Sequence, residues 1–121
     1  MPRPYNEQTE PDDETSQFWT IDVEDEAQHV TAARYVDQPQ WPWGVNVPVL
    51  EFIRDEPLES DLTEALIRAL KKVWWVRKVE HEDRETFIIA GRPSGRALVN
   101  AVSKVLDEFS ARIGAALAGT D

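Results

Sequence analysis

The sequence predicts an α+β domain, an antiparallel sheet in the element order β-β-β-α-β-β-α with two helices on one face. Three observations carry this. Short stretches near residues 18–24, 29–36 and 85–90 show the two-residue alternation or β-branched content of strands. Two longer stretches repeat apolar residues at helical spacing. Clusters of proline, glycine and acidic residues punctuate the chain between them.

In residues 18–24 (FWTIDVE), Trp19, Ile21 and Val23 share one side while Thr20 and Asp22 share the other. After an acidic turn, His29–Val36 is rich in β-branched and aromatic residues and reads as a second strand. A helix over Glu24–Tyr35 competes, since Ala27, Val30, Thr31 and Arg34 also fit helical spacing; the hairpin is preferred. Residues 37–44 (DQPQWPWG) form a loop, and Val45–Arg54 a strand with apolar residues on both faces. Pro48 lacks a backbone donor, which predicts an edge strand or a bulge there.

Asp55–Ser60 reads as a turn, and Asp61 with Glu64 as a capping box that opens a helix. Its buried face is Leu62, Ala65, Leu66, Ala69, Leu70 and Val73, with Arg68, Lys71 and Lys72 turned away. Trp74–His81 and Glu85–Ala90 form a hairpin across Glu82-Asp83-Arg84. Gly91-Arg92-Pro93 breaks the chain, and Ser94 caps a helix from Gly95 to about Ile113, with Gly114 as its stop. The buried stripe of that helix is Leu98, Ala101, Val102, Val105, Phe109 and Ile113.

The domain organisation follows. Residues 1–17 hold three prolines, many acids and almost no apolar groups, which predicts a disordered acidic arm. Residues 18–114 form one α+β domain, and 115–121 a frayed tail. The 121 residues suit a single domain, and 41% hydrophobic residues suffice for a core.

Charge is unevenly placed. Nine of the 23 acidic residues and one of the 13 basic residues lie within residues 1–30. That stretch carries −8 of the total −10, and the remaining 91 residues are near neutral at −2. An end of this sign repels phosphate backbones, so nucleic acid is not an expected partner. The absence of cysteine excludes disulfides, thiolate metal sites and cysteine nucleophiles. The first thirty residues lack a signal-peptide pattern, and no apolar run has membrane-spanning length. A cytoplasmic protein with no membrane partner is expected.

Val45, Val47 and Val49 oppose Leu50 and Phe52, Trp74 opposes Trp75, and Phe87 opposes Ile88. Both sheet faces therefore carry apolar groups, and the face without helices needs a cover: the N-terminal hairpin, a second copy or another protein. The stretch from Val45 onward is a βαββα unit, most of a ferredoxin-like sandwich, which the strand at His29–Val36 completes in permuted form. Over residues 18–113 the element order, size and acidity also resemble the small type III secretion chaperones and their chaperone-like relatives. Residues 1–17 depart from that family, which has an N-terminal helix there. The resemblance implies a chaperone-like role in binding another protein.

Candidate chemistry is sparse. Gly91-Arg92-Pro93-Ser94-Gly95-Arg96 runs from a strand end into a helix start, where an anion can sit. It lacks the Walker lysine and the dinucleotide glycine pattern, and the turn and cap already explain Gly91, Pro93 and Ser94. His29 and His81 adjoin acidic residues without metal-ligand spacing, so no metal or cofactor is expected. No nucleophile elbow surrounds a serine. Arg77, Lys78, Arg84, Arg92 and Arg96 form a candidate basic cluster. Of the five tryptophans, Trp19 and one of Trp74 or Trp75 are expected in the core, and Trp41 and Trp43 at the surface.

The candidate binding residues are thus Trp41, Trp43, Trp75, Arg77, Arg92 and Arg96. They suit a non-catalytic protein-interaction module of chaperone-like kind, a homodimer through the apolar sheet face. A small-molecule-binding domain or small enzyme of the ferredoxin-like dimer type is the alternative. There Trp41, Trp43 and Trp75 would line a pocket, and Arg77 or Arg92 would orient an anion. A third reading is an assembly subunit of a larger particle.

Overall fold

The computed structural model describes residues 4–5, 20–23, 25–35 and 42–118. The rest of the predicted acidic arm, Trp19, Trp41 and residues 119–121 lie outside the described residues. The fold is α+β. Its strands are β1 (Pro4–Tyr5), β2 (Thr20–Val23), β3 (Glu26–His29), β4 (Thr31–Tyr35), β5 (Trp43–Asn46), β6 (Val76–His81) and β7 (Thr86–Gly91). Its helices are α1 (Glu56–Lys71), α2 (Gly95–Glu108) and α3 (Ser110–Ala118).

The main sheet has the order β1-β4-β5-β7-β6, every neighbouring pair antiparallel. Helix α1 joins β5 to β6, and β7 returns between them. Strands β2 and β3 form a separate hairpin. Its turn holds Asp25 at φ 69°, a left-handed conformation that a short polar side chain tolerates.

Register sorts the sheet into two faces. Ala32, Val45 and Phe87 lie side by side across β4, β5 and β7, as do Arg34, Trp43 and Ile89. The apolar members of these rows are buried against Leu58, Leu62, Leu66 and Leu70 of α1 and Leu98, Val102 and Leu106 of α2. Each buried Val, Leu, Ile or Phe among them contributes about 1.5–3 kcal/mol of burial. The helical face read from Leu62, Leu66 and Leu70 is thus the packed one. On the opposite face Ala33, Gly44 and Ile88 align, and Ile88 and Ala90 are half-buried. Tyr35 folds over Gly44 and occupies the space a side chain there would need. Both faces carry apolar groups, and Lys78 and Glu80 close the outer edge of the second with an exposed 2.7 Å ion pair.

Several boundaries differ from the sequence expectation. The stretch 29–36 divides at Val30, which is buried in the core, so β3 joins β2 while β4 enters the main sheet. The strand predicted over Val45–Arg54 ends at Asn46, and Pro48–Phe52 winds into a 3-10 turn. Proline opens that turn, where its missing N–H leaves no bond unmade. Helix α1 begins at Glu56 rather than Asp61. Asp55 is its cap, accepting the Leu58 N–H at 3.0 Å, while Asp61 pairs with Arg112 of α3 at 3.2 Å. Strand β6 starts at Val76, which leaves Trp74 and Trp75 on a turn.

The Ser94 cap is present, its hydroxyl accepting the Ala97 N–H at 3.1 Å. The helix it opens breaks at Phe109, and α3 then runs through Gly114 to Ala118. Gly114 is therefore not a stop, since the helix continues four residues past it. The break lets Ile113 return to the core, with Ala116 and Leu117 half-buried beside it. No helix among the described residues is long and apolar enough to cross a membrane.

Candidate functional site: an exposed tryptophan turn

The chain leaves α1 through a tight turn from Val73 to Val76. The Val76 N–H donates to the Val73 carbonyl at 3.2 Å, which makes Trp74 and Trp75 the two central residues. Trp75 takes φ 76°. A turn that needs positive φ at this position normally carries glycine, because a Cβ there crowds the backbone. Here one of the largest side chains occupies it.

The strain is held by the neighbouring strand. The Arg92 N–H donates to the Trp75 carbonyl at 3.0 Å. Gly91 sits at φ 122°, and a side chain on it would strike that same carbonyl. Opposite Gly91, the pairing of β6 with β7 slips by a residue between Val76 and Lys78. Such a bulge redirects the side chains next to it.

The two indoles project outward. Trp74 is 79% exposed and Trp75 66%, the large apolar side chains left open to solvent among the described residues. Their rings stack at 6.3 Å with planes 15° apart. Trp74 immediately follows Val73, which ends an open groove between α1 and α2. Ala65, Ala69 and Ala101 line the groove, with Arg68, Lys72 and Lys104 among its charged residues.

Electrostatically this region differs from the rest of the chain. Residues 68–78 (RALKKVWWVRK) hold five basic residues and no acid, in a chain of net charge −10. Arg77, Lys78 and Arg92 are exposed around the turn. Among the described residues, two groups titrate away from their ordinary values, and both lie elsewhere. Burial, and then Glu82 and Asp83, raise the pKa of Tyr35. Burial, and then Glu51 and Asp83, raise that of Glu85, against a hydrogen bond from Asn46 that lowers it.

Of the residues singled out from the sequence, Trp75, Arg77 and Arg92 come together at this turn. Trp43 does not. It is 1% exposed, its indole N–H donates to the Pro93 carbonyl at 3.1 Å, and the Arg34 guanidinium stacks 4.7 Å from its ring. The expectation of a surface Trp43 fails because β5 is a central strand whose Trp43 face meets the helices. The expectation that Trp74 or Trp75 is in the core fails because both precede β6. Arg96 is half-buried in the first turn of α2, and Trp41 lies outside the described residues. Arg84 leaves the predicted basic cluster altogether. It sits at the β6–β7 turn, bonded to Glu59 at 2.8 Å and to the Ile53 carbonyl.

Sequence reasoning missed Trp74, Lys71 and Lys72 as parts of one surface. The signal was the acid-free run of five bases around the tryptophan pair. Among the described residues no three histidine or acidic side chains converge to hold a metal. The fold and turn define a small α+β sandwich that displays a basic, aromatic loop. Comparison with protein-family models, curated proteins and solved structures gave no match.

Proposed function

We propose that the chain is a non-catalytic protein-interaction module whose contact surface is centred on Trp74 and Trp75. The observation that supports it is the exposed, stacked indole pair on a turn whose backbone is strained. Tryptophan dominates binding hot spots, and a strained exposed turn has no packing gain to explain it. The reading moves the contact surface from the sheet face, where the apolar groups are half-buried, to the turn. It keeps the protein in the cytoplasm and gives it a chaperone-like role of binding another chain.

Self-association takes a different place in this reading. Two copies meeting turn to turn would bring two clusters of like charge together, which opposes a homodimer at this site. The test is quantitative affinity capture with the full chain and with a Trp74→Ala/Trp75→Ala variant. A set of proteins retained by the first and lost from the second is expected. The same set recovered with both would sink the proposal.

A further inference from the structure

Resting on that reading, we infer that the tryptophan turn and the adjoining α1–α2 groove form a docking site for an acidic peptide segment that carries aromatic or large aliphatic residues. The site combines three features. The indole pair offers two broad apolar faces to a side chain. The alanine-lined groove that begins at Val73 offers a strip in which a peptide backbone can lie close to the protein. Arg68, Lys72 and Lys104 line that strip, and Lys71, Arg77 and Arg92 are exposed on or beside the turn.

Charge selects the occupant. A chain of net −10 has an acid-free basic run around its most exposed apolar groups, so the local field is opposite to the global one. A short acidic segment feels mainly the local field. A long polyanion or an extended anionic surface also meets the repulsion of a chain of net charge −10, which disfavours nucleic acid and lipid. The shape agrees, since a groove between two helices takes a strand or helix of peptide rather than a plane. Glu108 also lines the groove, so the acidic residues of the peptide belong beside Lys72 and the turn rather than beside that carboxylate.

The test is selection from a library of random short peptides on the immobilised full chain. Arms in parallel use Trp74→Ala/Trp75→Ala and Lys72→Glu/Lys104→Glu, all at exposed or groove positions away from the core. The expected result is enrichment of net-negative sequences containing an aromatic or large aliphatic residue. The best of them, made synthetically, weakens by at least about tenfold on each variant, the scale of losing a hot-spot contact. Its affinity also falls as salt rises. Enriched peptides that need the tryptophans but are neutral or basic overturn the acidic docking site and leave the interaction module standing. Failure of any peptide to enrich overturns both. Tighter, tryptophan-dependent binding of an oligothymidylate or of phosphatidylserine vesicles in the same assay overturns the inference in favour of nucleic acid or membrane.

Discussion

The backbone N–H of Arg92 holds the carbonyl of Trp75 at 3.0 Å, and so ties the end of β7 to the turn that displays the indole pair. The bond is possible because the residue before Arg92 is Gly91, whose φ of 122° leaves that carbonyl unobstructed. The two residues are 17 positions apart in sequence, and their link turns a short connection into a fixed platform.

The strain at Trp75 is measurable. A left-handed residue other than glycine costs about 1–2 kcal/mol. Replacing Trp75 with glycine removes that penalty, and the greater freedom of glycine in the unfolded chain offsets part of the gain. Urea denaturation is expected to show Trp75→Gly more stable than the natural protein by up to about 1 kcal/mol, while partner capture is lost. A variant less stable than the parent would show that Trp75 is retained for folding.

Gly44 and Tyr35 are coupled across adjacent strands. Gly44→Ala pushes its new methyl into the Tyr35 ring and should destabilise by about 1–3 kcal/mol, the cost of overpacking. In a Tyr35→Ala background those three nearest contacts are gone, and alanine suits a strand better than glycine. The double-mutant cycle from thermal unfolding should therefore show the Gly44→Ala penalty vanish or reverse. Additive effects would mean that the two side chains do not share that space.

Arg84 bridges the β6–β7 turn to the start of α1. Arg84→Ala removes its bonds to Glu59 and to the carbonyl of the buried Ile53. The loss expected is about 1–2 kcal/mol, most of it from the carbonyl left without a partner, because the exposed ion pair adds little. Capture of partners should be unchanged, since this turn lies at the other end of β6 from Trp75. Loss of binding with intact stability would place Arg84 in the site.

Glu85 gives a pH signature. Its folded pKa is raised above the ordinary 4.5, so folding disfavours its charged form. The destabilisation is absent below the unfolded value, sets in as pH rises through it, and is complete above the folded value. Glu85→Gln should raise the melting temperature at neutral pH, with a difference that closes as pH falls below 4.5. Added salt should narrow the gap at neutral pH, since Glu51 and Asp83 contribute to it. A difference constant from neutral to acid pH would exclude charge as its cause.

By itself the sequence determined what depends on neighbours along the chain. The leucines of α1 recur at a spacing that puts them on one face, Ser94 stands where a cap is needed, and the alternation of Phe87 and Ile88 assigns them to opposite sides of β7. Only tertiary structure decided what depends on distant partners. Trp43 is buried because β5 is a central strand whose Trp43 face meets the helices, and the carbonyl of Pro93, 50 positions away, receives its indole N–H. Phe109 ends α2 so that Ile113 can reach a core built by earlier elements. The indoles of Trp74 and Trp75 face solvent because Gly91 and Arg92 lock the turn from another strand. Every indole offers the core a comparable area to bury, so composition cannot say which tryptophans the core takes. That choice belongs to the register of the sheet and the packing of the helices on it.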